Sequence, residues 1–589
     1  VTAERNLEVI ALGPASLELH AQQLGAPLEA ATSFAASVGG SAARVALGLT
    51  RLGVATALAA RVGDDPAGAF VIEALAAEGC EVSHVARDRE RATALAMIGG
   101  GAQHAYRGTD LALGDAALDE AFLARARALV VTGTAPAHYV SALERARRHG
   151  VRTVLDVGGA PVAIADLRRF DLVVGTRAEL QRIGGREDLV AALRQIRGAT
   201  QAILVVKLGA SGCAVFEAEI PARIEASPAA SAATGDAFLT GLVTGWLGGM
   251  DLPAAGRHGD ACAALVAARA MAALPTAAEL AYWQANRPPR HDRDPQLARL
   301  HRASPRRRTR EDLCLISIDD RTQAYELARA AGAPEARLAV MKQLIVRGLA
   351  EAEQAMALHG RVGALIDDTY GGDAQLAAAG RHWWLARPVE VPGSSPLEFE
   401  GGRSIGSRLI AWPGDCVVKC LVQLHPDEPV DHRLEQETQL AALWQAVLTS
   451  GHELLLEVIP PRSLPSDGET VVRAVKRLYN LGLCPEWWGL EALPAASWRM
   501  LDQLIAERDP HCRGVLLIDR GDGAAELAVA AASRSCRGLF VGRHTLRAPS
   551  AEWLAGTLDD AGLIARVRAA IEQRVRAWDT ARRARAERT

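Results

Sequence analysis

Two groups of residues in this chain have the types and spacing to do chemistry. In the first, Thr234-Gly235-Asp236 opens a long apolar helix within SAATGDAFLTGLVTGWL (231–247). Backbone N–H groups at a helix start stabilise an anionic group in transfer, and an aspartate beside them is placed to take the proton of an attacking hydroxyl. The same residues also make an ordinary N-cap. Upstream, Gly39-Gly40-Ser41 precedes an amphipathic helix, where glycine lets the main chain close on a polar ligand. In the second group, Lys419 lies mid-strand in CVVKCLV, Glu457 lies in ELLLEVIP, and Gly542-Arg543 follows GLFV. A desolvated lysine with a carboxyl partner suits imine chemistry, and Gly-Arg at a strand end suits a phosphate. A structural Lys–Glu pair filling a barrel interior is the competing reading.

Lysine scarcity sharpens both groups. The chain has four lysines (Lys207, Lys342, Lys419, Lys476), and arginine supplies the other 62 of its 66 basic residues. Lys207 and Lys419 stand in strand-like apolar runs, where an unpaired ammonium is costly, so each requires a counter-charge.

The elements that must position these residues form two series. Over the first half, apolar runs at 8–13, 55–63, 128–133, 153–158, 171–176 and 202–209 alternate with helical stretches such as 41–53, 67–79, 137–150 and 187–198. That order predicts a mostly parallel sheet covered on both faces. Over the second half, eight strand-like runs (313–320, 362–368, 383–390, 416–424, 453–460, 486–492, 514–520 and 538–544) are each followed by a helical stretch, as in a (β/α)8 barrel. Their C-terminal ends carry Asp319, Asp320, Asp367, Asp368, Glu390, Glu457, Asp519 and Arg543, an expected charged ring. Between the halves, residues 287–310 hold nine Arg, two Asp and four Pro without apolar periodicity, which predicts a solvated linker. The domains expected are therefore 1–286, a linker at 287–310, and 311–589.

Bulk properties exclude several classes. At 589 residues the chain exceeds one core, and a net charge of −3 gives no pull toward nucleic acid or anionic membrane. No signal-like N-terminus and no apolar run of spanning length stand out, so a cytoplasmic protein is expected. The nine cysteines are scattered without metal-ligand spacing and read as reduced thiols.

The joint order of SVGGSAARVALGLTRLG, VGDDPAG, GTRAEL, VVKLGASG and TGDAF resembles the ribokinase/PfkB carbohydrate kinases, and among them the 5-dehydro-2-deoxygluconokinases of myo-inositol catabolism, over residues 7–283. The resemblance implies a ribokinase-like parallel-sheet sandwich with a small β lid, from segments near 12–36 and 91–108, and a homo-oligomer. It implies ATP and Mg²⁺ as cofactors and a sugar acid as acceptor. Asp236 would be the base and Gly235 part of the anion hole. Glu18, Gly39, Gly40, Arg44 and Arg107 would face the sugar. Thr176, Glu179, Lys207, Gly209, Gly212 and Thr234 would line the nucleotide side, with Glu179 acting indirectly on Mg²⁺. Four positions depart from the family pattern: Glu18 replaces an aspartate, Arg44 an asparagine, Ala233 the first glycine of G-A-G-D, and Asp156-Val157-Gly158 a D-Y-R segment. A kinase of another sugar, or a pseudoenzyme that binds sugar or nucleotide as a regulator, therefore remain as alternatives.

The motifs ISIDDR, GALIDDTYG, WWLARPVEVPGSSPLEFEGG, VVKCLVQLHPDE and FVGR are similar to an aldolase-like barrel domain fused behind such kinases, which itself resembles class I sugar-phosphate aldolases. This implies a TIM barrel with Asp319, Arg321, Lys419, Glu457, Gly542 and Arg543 at its site. The reaction implied is cleavage of 6-phospho-5-dehydro-2-deoxygluconate into dihydroxyacetone phosphate and malonate semialdehyde. Relatives carry the imine-forming lysine on strand six, where this chain has Gly489. Aldol cleavage is therefore not expected unless Lys419 substitutes.

Overall fold

Strands in the first half are continuously apolar because both faces of their sheet are covered. In the computed structural model, residues 6–23, 25, 27–106, 108–109, 118–220, 235–267, 273–286, 294–303, 310–402, 404–520 and 523–586 are described. The chain divides into two compact units, 1–308 and 309–589. The first unit has strands β1 (Val9–Leu12), β2 (Ser16–Ala21), β3 (Phe34–Gly39), β4 (Thr56–Gly63), β5 (Val85–Asp88), β6 (Ala94–Gly99), β7 (Ala102–Tyr106), β8 (Ala128–Thr132), β9 (Arg152–Asp156), β10 (Leu172–Thr176), β11 (Ile203–Lys207) and β12 (Cys213–Phe216).

Eight of these form one sheet in the order β12-β11-β10-β9-β8-β1-β4-β5, parallel throughout except for the β11–β12 hairpin. Alternation sorts each strand onto two cores. Ile10, Leu129, Val131 and Leu155 enter one cluster, and Val9, Ala128, Val130 and Val154 the other. The second cluster is closed by Val45 and Leu49 of the helix Ser41–Arg51 and by Leu239, Leu242 and Val243 of the helix Gly235–Leu247. The remaining four strands form the small sheet β3-β2-β6-β7, in the two segments expected to make a lid.

The expected linker is corrected in part. Residues Pro295–Ala303 are a helix, started by Asp294, whose Oδ1 accepts from the Leu297 amide at 2.9 Å. Leu297 and Leu300, three apart, share one helical face and are buried, with Leu297 packed among Leu52, Leu274 and Leu280. Two leucines at helical spacing thus hold this part of the Arg-rich segment on the first unit.

In the second unit, β13 (Leu313–Ile318), β14 (Val362–Ile366), β15 (Trp384–Pro388), β16 (Val417–Gln423), β17 (Leu454–Ile459), β18 (Trp487–Leu490), β19 (Gly514–Asp519) and β20 (Cys536–Val541) close a parallel barrel in chain order, β20 pairing with β13. Leu313, Leu315, Val417, Leu455, Trp487 and Phe540 fill its interior, while Cys314, Ile316, Val418, Cys420, Leu454 and Leu456 face the surrounding helices. On that alternation Lys419, two after Val417, and Glu457, two after Leu455, point inward one layer higher. No helix among the described residues is long and apolar enough to cross a membrane.

Candidate functional site

The first site forms at the C-terminal edge of the parallel sheet, where β8, β9, β10 and β11 end: Thr132 pairs with Asp156, Asp156 with Val174, and Thr176, two residues further along β10, with Lys207. Lys207 finds its counter-charge there. Its Nζ donates to Asp156 Oδ1 at 2.7 Å, and Thr132 Oγ1 donates to Asp156 Oδ2 at 3.1 Å. Burial disfavours the ammonium, but Asp156, Glu179 and Asp236 together hold its pKa above the usual lysine value. A Cβ added at Gly235 would meet this Nζ at 3.1 Å, so the ammonium stands over the start of the helix Gly235–Leu247. Two sources of positive potential converge at that point.

Asp236 is the second residue of that helix, and its side chain is 23 % exposed. Burial pushes its pKa up to about 6, Arg44 and Lys207 opposing the rise and Asp156 adding to it. Arg44 Nε donates to Asp236 Oδ2 at 3.0 Å, and Arg44 Nη1 lies 3.9 Å from Glu18 Oε2. Glu18 also lies 3.3 Å from His20 Nε2, which meets Ser37 Oγ at 3.0 Å. Both glycines of the Gly39-Gly40 pair are required sterically. A Cβ at Gly39 would come within 2.5 Å of Glu18 Cγ, and Gly40 has φ +82° with a Cβ position 2.6 Å from the Pro14 carbonyl oxygen.

Glu179 and Thr176 form a capping box. Glu179 Oε2 accepts from the Thr176 amide and Oε1 from the Gly159 amide, each at 2.7 Å. Burial works against this carboxylate, but those bonds outweigh it and hold its pKa below the usual range. Gly209 and Gly212 take positive φ in the β11–β12 turn. Glu18, Arg44 and Asp236 therefore form one connected group, and Lys207 with Asp156 adjoins it. Arg107 and Thr234 lie outside the described residues. Asp156, which the sequence suggested only as a remnant of another motif, is the partner that Lys207 demanded.

The second site is a cavity of about 210 Å³ at the C-terminal end of the barrel. Asp319, Asp320, Arg321, Glu390, Lys419, Glu457, Asp519, Gly542 and Arg543 line it. Two members of the expected ring are elsewhere. Asp367 is fully buried against Lys342 and accepts the Thr369 and Tyr370 amides, and Asp368 pairs with Arg387 and Arg408. The helix Arg337–Met356 brings a lysine to the end of β14 and draws Asp367 away from the mouth.

Lys419 is enclosed by three carboxylates: Asp319 Oδ2 at 2.8 Å, Glu390 Oε1 at 2.9 Å and Glu457 Oε2 at 3.3 Å. Burial opposes its charge, but these neighbours push its pKa well above the usual lysine value. Arg321 joins the network through Glu390 and Glu400, and Ser317 Oγ donates to Asp319 at 2.7 Å. Glu457 is the farthest of the three from the ammonium. Burial, with the charges of Asp319 and Glu390, pushes it up to about 7 despite Lys419. Asp320 rises to about 6 through burial and its neighbour Asp319. Gly489 pairs with Glu457 across β17–β18, and a Cβ there would meet Glu457 Cγ at 2.5 Å. The Glu457 side chain therefore occupies the space that a larger residue at 489 would need.

Fold and site together define a two-domain α/β protein, a kinase-type sheet domain ahead of a (β/α)8 barrel. The chain belongs to the pfkB family of carbohydrate kinases through residues 6–278 and, through residues 279–582, to the family described as "Uncharacterized protein conserved in bacteria (DUF2090)". It is similar to a 5-dehydro-2-deoxygluconokinase of Geobacillus kaustophilus, 29% identical over 312 residues, covering 47% of this chain and 93% of that protein. A 5-dehydro-2-deoxygluconokinase of Photobacterium profundum is also 29% identical, over 299 residues, 44% of this chain and 89% of that protein. Among solved structures, a PfkB protein from Polaromonas sp. JS666 is 30% identical and covers 47% of this chain and 99% of its own, with a TM-score of 0.41.

Proposed function

We propose that the first unit transfers the terminal phosphoryl group of ATP to a hydroxyl of a sugar acid, with 5-dehydro-2-deoxygluconate as the acceptor. The observation that carries this is Asp236, a carboxylate poised near neutrality at the start of a buried helix with the Lys207 ammonium above that helix end. Asp236 takes the hydroxyl proton as the oxygen attacks the terminal phosphorus and ADP leaves. Lys207 and the amides beginning at Gly235 face the charge of the transferring group. Glu18, Gly39, Gly40, Arg44 and Arg107 hold the acceptor, and Thr176, Gly209, Gly212 and Thr234 flank the nucleotide. Mg²⁺ would screen the nucleotide phosphates. Glu179 would act on it indirectly, its carboxylate fixed by the Thr176 and Gly159 amides and left as a negative charge beside the nucleotide side. The edge strand β7, all five of whose residues are exposed, supports assembly of a homo-oligomer through the small sheet.

Coupled measurement of ADP release over a panel of sugars and sugar acids tests this reading. The wild type is expected to act on 5-dehydro-2-deoxygluconate, and Asp236→Asn to lose about 10²- to 10⁴-fold. Turnover of a different sugar would transfer the acceptor assignment to it. A wild-type protein inert toward the whole panel would overturn the kinase reading and leave that of a binding pseudoenzyme.

The barrel is not proposed to cleave its ligand through an imine. Lys419 is held as an ammonium, and Gly489 offers no amine.

A further inference from the structure

Arg44 takes no part in the proton transfer just described, yet its side chain is bonded to the carboxylate of the proposed base. It is the fourth residue of the helix Ser41–Arg51, its amide is bonded to the Gly40 carbonyl at 2.9 Å, and it is 8% exposed. A guanidinium so withdrawn from water requires anionic partners, and it reaches two from different elements: Asp236 on the helix Gly235–Leu247 and Glu18 on β2 of the small sheet. Its Nε binds Oδ2 of Asp236, while among the described residues Oδ1 receives no hydrogen bond.

We infer that Arg44 is a positioning residue for the acceptor base, holding Oδ2 of Asp236 so that Oδ1 receives the hydroxyl proton, and tying that carboxylate to Glu18 of the small sheet. The inference rests on Asp236 being the base proposed above. A carboxylate turned by a fixed Nε–H presents one oxygen in one direction, which is the geometry a general base requires. The charges around Asp236 support the same role. Lys207 faces it from β11 and Asp156 from β9, but the Lys207 ammonium is already committed to Asp156. Glu18, with His20 beside it, faces Arg44. Arg44, the one of the two cations bonded directly to Asp236, is therefore the larger opponent of its burial, with Lys207 adding to it.

The test is the pH dependence of kcat and kcat/KM for the wild type, Arg44→Lys and Arg44→Gln. Only the ionised carboxylate accepts a proton, so the acid limb follows the pKa of Asp236. Loss of the neighbouring cation is expected to move that limb up by about 1–3 pH units in Arg44→Gln, which lowers the rate at pH 7 by about 2- to 100-fold and restores it as the pH rises. Arg44→Lys keeps the charge and is expected to hold the limb near its wild-type position. A residue that merely packed would lower the rate by the same factor at every pH. If circular dichroism shows that Arg44→Gln fails to fold, the double variant Glu18→Gln/Arg44→Gln, which removes one buried carboxylate together with the cation, takes its place. A limb at the wild-type position in whichever of these two variants folds overturns the inference. A wild type that transfers no phosphoryl group overturns the function itself, so the two failures are distinct.

Discussion

Replacing Glu457 with glutamine isolates the electrostatic cost built into the barrel. The carboxyl group has an ordinary pKa of 4.5 and is pushed to about 7 in the folded protein, first by burial and then by Asp319 and Glu390. The difference of about 2.5 pH units corresponds to about 3 kcal/mol. Below pH 4.5 the group is protonated whether folded or unfolded and costs nothing. Between 4.5 and 7 the folded chain holds a proton that the unfolded chain releases, so stability falls as pH rises, and the loss is complete above about 7. Glutamine cannot titrate. Glu457→Gln is therefore expected to remove about 3 kcal/mol from the decline in stability between pH 4.5 and 8, about 6–12 °C in Tm for a unit of this size. Lys419 keeps Asp319 and Glu390 in the variant. Urea unfolding of both proteins across that range, followed by tryptophan fluorescence, measures the difference. Asp320 titrates in both and cancels. If wild type and variant lose stability in parallel, Glu457 is ionised throughout as a third full partner of Lys419, and burial does not dominate its titration.

Three further outcomes follow from the same cluster. Lys419→Met leaves Asp319, Glu390 and Glu457 buried without their cation and is expected to cost about 3–5 kcal/mol in urea unfolding. Borohydride treatment of the wild type with a ketose phosphate is expected to leave no covalent adduct on Lys419 by peptide mass mapping; an adduct there would show that the ammonium releases its proton. Gly489→Ala places a methyl group against Glu457 Cγ and is expected to cost about 1–3 kcal/mol, and most of that cost is expected to vanish in a Glu457→Ala background, as a double-mutant cycle would measure.

Much of this fold is legible in the sequence alone. Runs such as ALVVTG and LCLISIDD, alternating with helical stretches, specify buried parallel strands, because an apolar run too short for a helix and covered on both faces has no other stable placement. The eight repeats of the second half specify a closed barrel for the same reason, and the period of two along CVVKCLV points Lys419 inward once Val417 faces the interior. Local pattern misled where a few residues outweighed composition. Leu297 and Leu300 fold part of an Arg- and Pro-rich stretch onto the first unit, and Lys342 draws Asp367 out of the expected ring.

The sequence by itself determined the two domains, the place of Asp236 at a helix start, and the need of Lys207 and Lys419 for counter-charges, since these depend on residues close together in the chain. Only the tertiary structure decided which charges meet. It brings Arg44 to Asp236 across 192 positions and Asp319 to Lys419 across 100. Ionisation depends on distance and burial in space, which no spacing along the chain encodes. For that reason the carboxylate of Asp236, raised to about 6 beside Arg44, and the Lys419 ammonium, enclosed by three carboxylates, became distinguishable only in the folded protein.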